Sequence, residues 1–348
     1  MNHPELNRRS FLELSGGMLL NAVAGGCMGN RICKVRASLP RETWAFLAHL
    51  GCKMWERRAG IGQVQVDMDV WHRLGDRLAE KGLNVLVIDL GEAVRYPSAP
   101  EIGLPGAWEP ETLEDEIARL KSMGVLAIPK LNFSTSHDQW LGKWRNYVGT
   151  DEYHALCAGI IRDVADIFDE APAFHLGYDE ETYSIQKNTG AKYIRLRVGD
   201  IWWKDFLWFV GQVESHGMRP WTWSDYGWKH KDEFLSLMPK SVLQSNWYYC
   251  DNFDPVKSTD YYRPMLEFYR VLSDAGYDQI PCGSTYSPKG LQFVNFPKTV
   301  EHCRSFMSSE HLKGFLMAPW IVELKKENLP DLLASVDIVG KTRNACLP

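Results

Sequence analysis

Lys81-Gly82-Leu83-Asn84-Val85-Leu86-Val87-Ile88-Asp89-Leu90 joins the end of an amphipathic pattern to a buried-type strand through a single glycine. Glycine stops a helix there because it takes the left-handed conformation that closes the last turn without a Cβ clash. Ser122-Met123-Gly124-Val125 repeats the device one unit later. Working outward, the pattern predicts strands near 44–50, 85–90, 126–131, 173–177, 220–224, 242–247, 279–284 and 314–319. Helical windows fall between and after them, at 70–81, 113–123, 154–168, 202–216, 232–237, 264–275, 299–310 and 329–339. Strand followed by helix, eight times over, predicts an α/β fold of the (β/α)8 TIM barrel type. A doubly wound open sheet is the rival, and the first strand-to-helix connection, Gly51 to Asp69, lacks the G-x-G-x-x-G that would favour it.

The chain has 348 residues, a length that suggests two domains unless a barrel absorbs it as one unit. The barrel reading therefore assigns 41–348 to a single domain and 1–40 to a leader and linker. With 45% hydrophobic and 24% charged residues, a disordered or fibrous chain is excluded. The net charge is −5 and no Lys/Arg run tracks a phosphate backbone, so nucleic acid is not an expected partner. No segment reaches 18 apolar residues, so no membrane span is expected. The eight cysteines show no C-x-x-C and no paired zinc spacing, and neither a metal nor another cofactor is expected. The aromatic content is the informative part: 14 Trp, 14 Tyr and 14 Phe, many beside Asp, Asn, Ser or Gly. Aromatic faces interleaved with polar groups suit a carbohydrate or glycoconjugate.

Barrel active sites sit at the C-terminal ends of the strands, so the residues just beyond each strand can be collected from the sequence. Strand two supplies Asp89 and Glu92, strand three Asn132 and His137, strand four Asp179, Glu180 and Glu181. Strand five supplies Trp223, Asp225 and Tyr226, strand six Gln244, Asn246, Trp247, Tyr248 and Tyr249, strand seven Ser284 and Tyr286, and strand eight Trp320. Phe174-His175-Leu176-Gly177-Tyr178-Asp179-Glu180 stands out among these. An apolar strand ends in glycine and presents adjacent carboxylates, which perturb one another so that one can serve as a general acid. His175, inside the apolar run, reads as a core histidine that braces the acidic loop.

His175-Leu176-Gly177-Tyr178-Asp179-Glu180 resembles the His-x-Gly-Gly-Asp-Glu signature of family 20 glycoside hydrolases, the β-N-acetylhexosaminidases. Asn84 to Glu92, Pro100-Glu101-Ile102, Ile128-Pro129 followed by His137, and the aromatic residues after strands five to eight are similar to the same family. The resemblance covers roughly 41–340, and Asp179-Glu180 is its most specific part. It implies substrate-assisted retaining hydrolysis, with Glu180 as acid/base and Asp179 holding the 2-acetamido group of the sugar. It also implies that Glu92, His137, Tyr178, Trp223, Asp225, Trp247, Tyr286 and Trp320 bind the substrate. Several family positions differ here. The first strand carries no arginine, Arg41 being nearest; Tyr178 replaces a glycine; Pro288 stands where an acid is usual after Tyr286; and Trp320-Ile321-Val322-Glu323 replaces Trp-x-Glu. A noncatalytic sugar-binding barrel therefore stays open, as does a conventional retaining glycosidase using Asp225 or Glu323. A metal-dependent hydrolase built on His49, His137, His175 and Asp225 is the weakest alternative.

Asn7-Arg8-Arg9-Ser10-Phe11-Leu12 resembles a twin-arginine export signal, followed by a short apolar stretch and the small-residue site Ala22-Val23-Ala24. It implies passage through the twin-arginine machinery and a periplasmic or extracellular enzyme.

Overall fold

The structure, a computed structural model, describes residues 36–53, 62–188, 193–287, 290–321 and 323–347. The twin-arginine stretch and the cleavage-like site lie outside the described residues. Eight parallel strands run β1 Thr43–His49, β2 Val85–Asp89, β3 Leu126–Lys130, β4 Ala173–His175, β5 Arg219–Trp223, β6 Leu243–Ser245, β7 Cys282–Gly283 and β8 Gly314–Met317. They pair in the order β6-β5-β4-β3-β2-β1-β8-β7. The remaining seam is bridged by Gln244 with Gln279 and Trp247 with Cys282, where Ile280 N–H donates to Gln244 O and Cys282 N–H to Asn246 O, both at 2.9 Å. The expected (β/α)8 barrel is the observed fold.

The outer helices are α1 Met68–Glu80, α2 Pro110–Ser122, α3 Asp151–Ile167, α4 Tyr183–Asn188, α5 Asp200–Ser215, α6 Lys231–Leu237, α7 Arg263–Asp274, α8 Asn295–Arg304 and α9 Leu329–Ala345. Asp67 caps α1 by accepting from Asp69 N–H (3.0 Å) and Val70 N–H (3.3 Å), which satisfies donors that the first turn leaves free. At the other end Gly82 has φ +74°, and Leu83 N–H reaches back to Leu78 O at 2.9 Å. This closure hands the chain directly to β2. The same bond recurs from Val125 to Leu120, from Met218 to Val213 and from Tyr277 to Leu272, so one local device sets the helix-to-strand turn at four units.

Arg36, just before the expected domain start, is already bound to the barrel. Its guanidinium donates to the carbonyls of Ala165, Phe168 and Ala171 around the C-terminus of α3 and to that of His216 at the C-terminus of α5, collecting acceptors that the helix ends leave free. The six cysteines among the described residues, Cys52, Cys157, Cys250, Cys282, Cys303 and Cys346, are free thiols. No helix among the described residues is long and apolar enough to cross a membrane.

Candidate active site

The uppermost layer of the barrel interior is ionic where such layers are usually branched and apolar. Strand register places His49 beside Asp89, Asp89 beside Lys130 and Lys130 beside His175. Lys130 is fully buried and forms an ion pair with Asp89. Burial, reinforced by the Lys130 cation, holds both His49 and His175 well below the ordinary histidine value, so they are neutral. Gly177 N–H donates to His175 Nδ1 at 3.0 Å, which puts the proton of the neutral ring on Nε2. His175 thus braces the loop above it.

That loop carries the acidic pair. The residues with positive φ other than glycine, among those described, are Tyr178 (+70°), Glu180 (+54°) and Trp320 (+54°), all beyond the ends of β4 and β8. A left-handed conformation costs an L-residue about 1–2 kcal/mol, so this one must be held from outside. Asn132, after β3, does part of the holding. Its Oδ1 accepts from Tyr178 N–H (3.2 Å) and Ser134 N–H (3.1 Å), while its Nδ2 donates to Asp179 Oδ1 (2.7 Å). The close approach needs a glycine: a Cβ on Gly177, itself at φ +71°, would lie 2.3 Å from Asn132 Oδ1. Asp225, after β5, and Ser136 hold the next residue, Asp225 Oδ2 accepting from Glu180 N–H at 2.8 Å and Ser136 Oγ donating to Glu180 O at 2.6 Å.

Within this frame the two carboxylates differ. Asp179 has a side chain 9% exposed and lies under Glu180, which is 34% exposed at the rim. His137 Nε2 stands between them, 3.6 Å from Asp179 Oδ2 and 3.3 Å from Glu180 Oε2. Burial alone would lower the His137 pKa; the charge of Asp179, then that of Glu180, outweighs it and pushes the group up to about 9. For Asp225, burial first and the Asp179 charge second push the carboxyl well above the carboxylate range and favour its protonated form. The site therefore combines a carboxylate open to solvent, a second one beneath it, and a cationic imidazole against both.

The His137 shift has a measurable consequence. In the unfolded chain its proton is lost near 6.5, and in the folded protein near 9. The resulting stabilisation is complete below about pH 6.5 and disappears as pH rises through about 9. Unfolding free energy should fall between pH 7 and 10 by roughly 3 kcal/mol at most more than in His137→Gln. Denaturant titrations of both proteins across that range check this, and parallel curves would contradict it.

An aromatic belt adjoins the acidic pair. Trp223 packs on His175 (4.6 Å between centroids) and faces Trp320 (6.1 Å), which in turn meets His49 (5.6 Å) and Tyr249 (6.2 Å). Tyr249 stacks on Trp247 at 5.0 Å and 20°. The belt joins Trp223, Trp247 and Trp320, from three different strands, and adds Tyr249, which the sequence reading collects on the rim without assigning it to the substrate.

Other expected residues are placed elsewhere. Glu92 is buried, and its Oε1 accepts from Cys52 N–H (2.7 Å) and Lys53 N–H (2.9 Å), so it ties down the loop after β1 and does not face the acidic pair. Tyr178 is turned outward by its left-handed backbone. Its ring lies edge-on to Trp202 and Phe206 of α5, and its hydroxyl bonds Asp205 Oδ2 (2.8 Å), which leaves it only 2% exposed and unavailable to a ligand. Tyr286 stands 38% exposed and outside the belt. Arg41 precedes β1, at the opposite end of the barrel from the acidic pair. His49 and His175, two of the four residues of the metal alternative, belong to the interior row and not to the His137 cluster. The strand pattern does not single out Lys130; its signal is a lone charge flanked by Pro129 and Leu131, on the strand next to Asp89.

Solved structures share this fold. A family 20 β-N-acetylglucosaminidase superposes with a TM-score of 0.59 at 13% identity, over 86% of this chain and 70% of its own. The β-N-acetylhexosaminidase of Bacteroides fragilis gives 0.60 at 15%, over 86% and 66%, and the family 20 β-N-acetylhexosaminidase of Streptomyces coelicolor gives 0.58 at 13%, over 87% and 64%. The chain thus spans about two thirds of the length of these structures, and at such identities the likeness is one of fold. No family model and no curated protein matches the sequence.

Proposed function

We propose that the protein is a glycoside hydrolase that cleaves a 2-acetamido glycoside by substrate assistance with retained configuration. The observation that carries the reading is the stacked pair of carboxylates, Glu180 at the rim and Asp179 beneath it, both against His137. Glu180 gives its proton to the leaving oxygen while the acetamido carbonyl oxygen of the substrate attacks the anomeric carbon and closes an oxazolinium ring. Glu180 then takes a proton from the water that reopens it. Asp179, with Oδ1 held by Asn132, keeps Oδ2 for the acetamido N–H and for the charge that develops beside it. Trp320, Tyr249 and Trp247, each partly exposed, supply the apolar faces for the sugar, and Trp223, only 2% exposed, packs behind them against Trp320 and His175.

Two observations weigh against a conventional protein nucleophile. Asp225 is pushed toward its neutral form and its Oδ2 is committed to the Glu180 backbone. Glu323 is paired with Lys325 at 2.8 Å. The resemblance at Asn7–Leu12 supports export through the twin-arginine machinery to the periplasm or beyond. The test of the proposed activity is a panel of aryl glycosides that includes N-acetylated and plain sugars. Turnover should be confined to the 2-acetamido members. Binding without turnover of any member would favour the noncatalytic sugar-binding barrel.

A further inference from the structure

The cluster at the mouth of the barrel has the donor set of a transition-metal site. His137 Nε2 and one carboxylate oxygen each from Asp179 and Glu180 lie within 4.8 Å of one another. Two of the three separations, 3.3 Å and 3.6 Å, exceed the ~2.7–2.9 Å of a charge-assisted hydrogen bond, and the buried His137 Nε2, although ion-paired with both acids, meets neither in hydrogen-bond geometry, so that a metal ion would take the place of its proton. They do match the edge of a tetrahedron, about 3.3 Å for zinc bonds of ~2.0–2.1 Å. The third edge closes by a small swing of Glu180, whose side chain is the exposed member. Asp179 is fixed from behind by Asn132 and the Glu180 backbone by Asp225, the outer support that orients metal ligands.

We infer that His137, Asp179 and Glu180 bind one zinc ion reversibly, and that zinc switches the enzyme off. One nitrogen and two carboxylates suit zinc or a similar transition metal; magnesium and calcium prefer all-oxygen shells of six or more ligands. Zinc holds the Glu180 carboxylate deprotonated, and the acid step needs that carboxyl protonated, so the two states exclude one another. The inhibition rests on the hydrolase reading, whereas the binding does not.

Isothermal titration of the metal-free protein with zinc chloride tests the site without any substrate. One ion per chain should bind, magnesium chloride should give no heat at equal concentration, and His137→Ala and Glu180→Gln should each abolish the high-affinity event. Asn132→Ala should weaken it roughly 10–100-fold, as loss of outer support does. Glu180→Gln removes a half-exposed carboxylate and keeps the fold should His137→Ala prove unstable. No binding by the wild type, or binding unchanged in Glu180→Gln, overturns the zinc site. If zinc binds as expected and an active wild type keeps its turnover with zinc saturating, the inhibition is overturned. If zinc binds but no glycoside is cleaved, the hydrolase reading fails and the metal site stands.

Discussion

Glu180→Gln should lose roughly 10²–10⁴-fold in turnover of a 2-acetamido glycoside with a poor leaving group, the usual contribution of a positioned general acid. The loss should shrink with an activated aryl leaving group, which departs without a proton. The substitution keeps the side-chain volume, and the left-handed backbone at this position is held by Asp225 through the Glu180 N–H, a bond the variant retains. Its circular dichroism and ligand affinity should therefore match the wild type. Steady-state kinetics on the two substrates decide the matter. An unchanged rate on the poor leaving group would remove Glu180 from the acid role.

The second large effect concerns stability. Arg197 is buried behind the acidic loop, where it bonds Glu181 (2.9 Å), Phe133 O (2.8 Å) and the Tyr178 hydroxyl (3.0 Å) and forms an ion pair with Asp205. Its guanidinium also lies 4.7 Å from the Tyr178 ring centroid. One side chain thus ties the β3 loop, the β4 loop and α5 together. Arg197→Met would leave Glu181 buried without its cation and Asp205 with His154 and the Tyr178 hydroxyl alone, and breaking such a buried pair costs about 3–5 kcal/mol. Urea unfolding at pH 7 should show that loss. Turnover at low temperature should fall as well, because the Tyr178 side chain, which anchors the base of the acidic loop, would lose the bond from Arg197 to its hydroxyl. A loss under about 1 kcal/mol would mean that the network is solvated in solution and does not position the loop.

Much of this was legible in the sequence, and the reason differs from part to part. The eight strands and their order follow from apolar runs punctuated by helix stops, and Gly82 and Gly124 adopt the positive φ that their positions required. Strand ends were less legible. Ala173–Gly177 reads as one strand, but β4 stops at His175 because Gly177 must turn left-handed to let Asn132 approach. The carboxylates Asp179 and Glu180 could be placed from the strand end alone, since a barrel converts strand ends into site positions. Facing was not legible. Tyr178, beside two acids, has the composition of a ligand contact, and only its φ of +70° reveals that the ring points into the helix layer. Glu92 has the right type and place, yet the backbone of Cys52 and Lys53 uses its carboxylate. Such assignments depend on pairings more than twenty residues apart that no local pattern encodes.

In the proposed mechanism the substrate supplies its own nucleophile. This is tested most directly by comparing, with the wild-type enzyme, the kcat/KM of a pair of aryl glycosides that differ only in a 2-acetamido or a 2-hydroxyl group. The account predicts cleavage of the 2-acetamido member with retained anomeric configuration and none of the 2-hydroxyl member above background. Comparable cleavage of both, with a carboxylate trapped by a 2-fluoro sugar, would contradict it and move the nucleophile onto the protein.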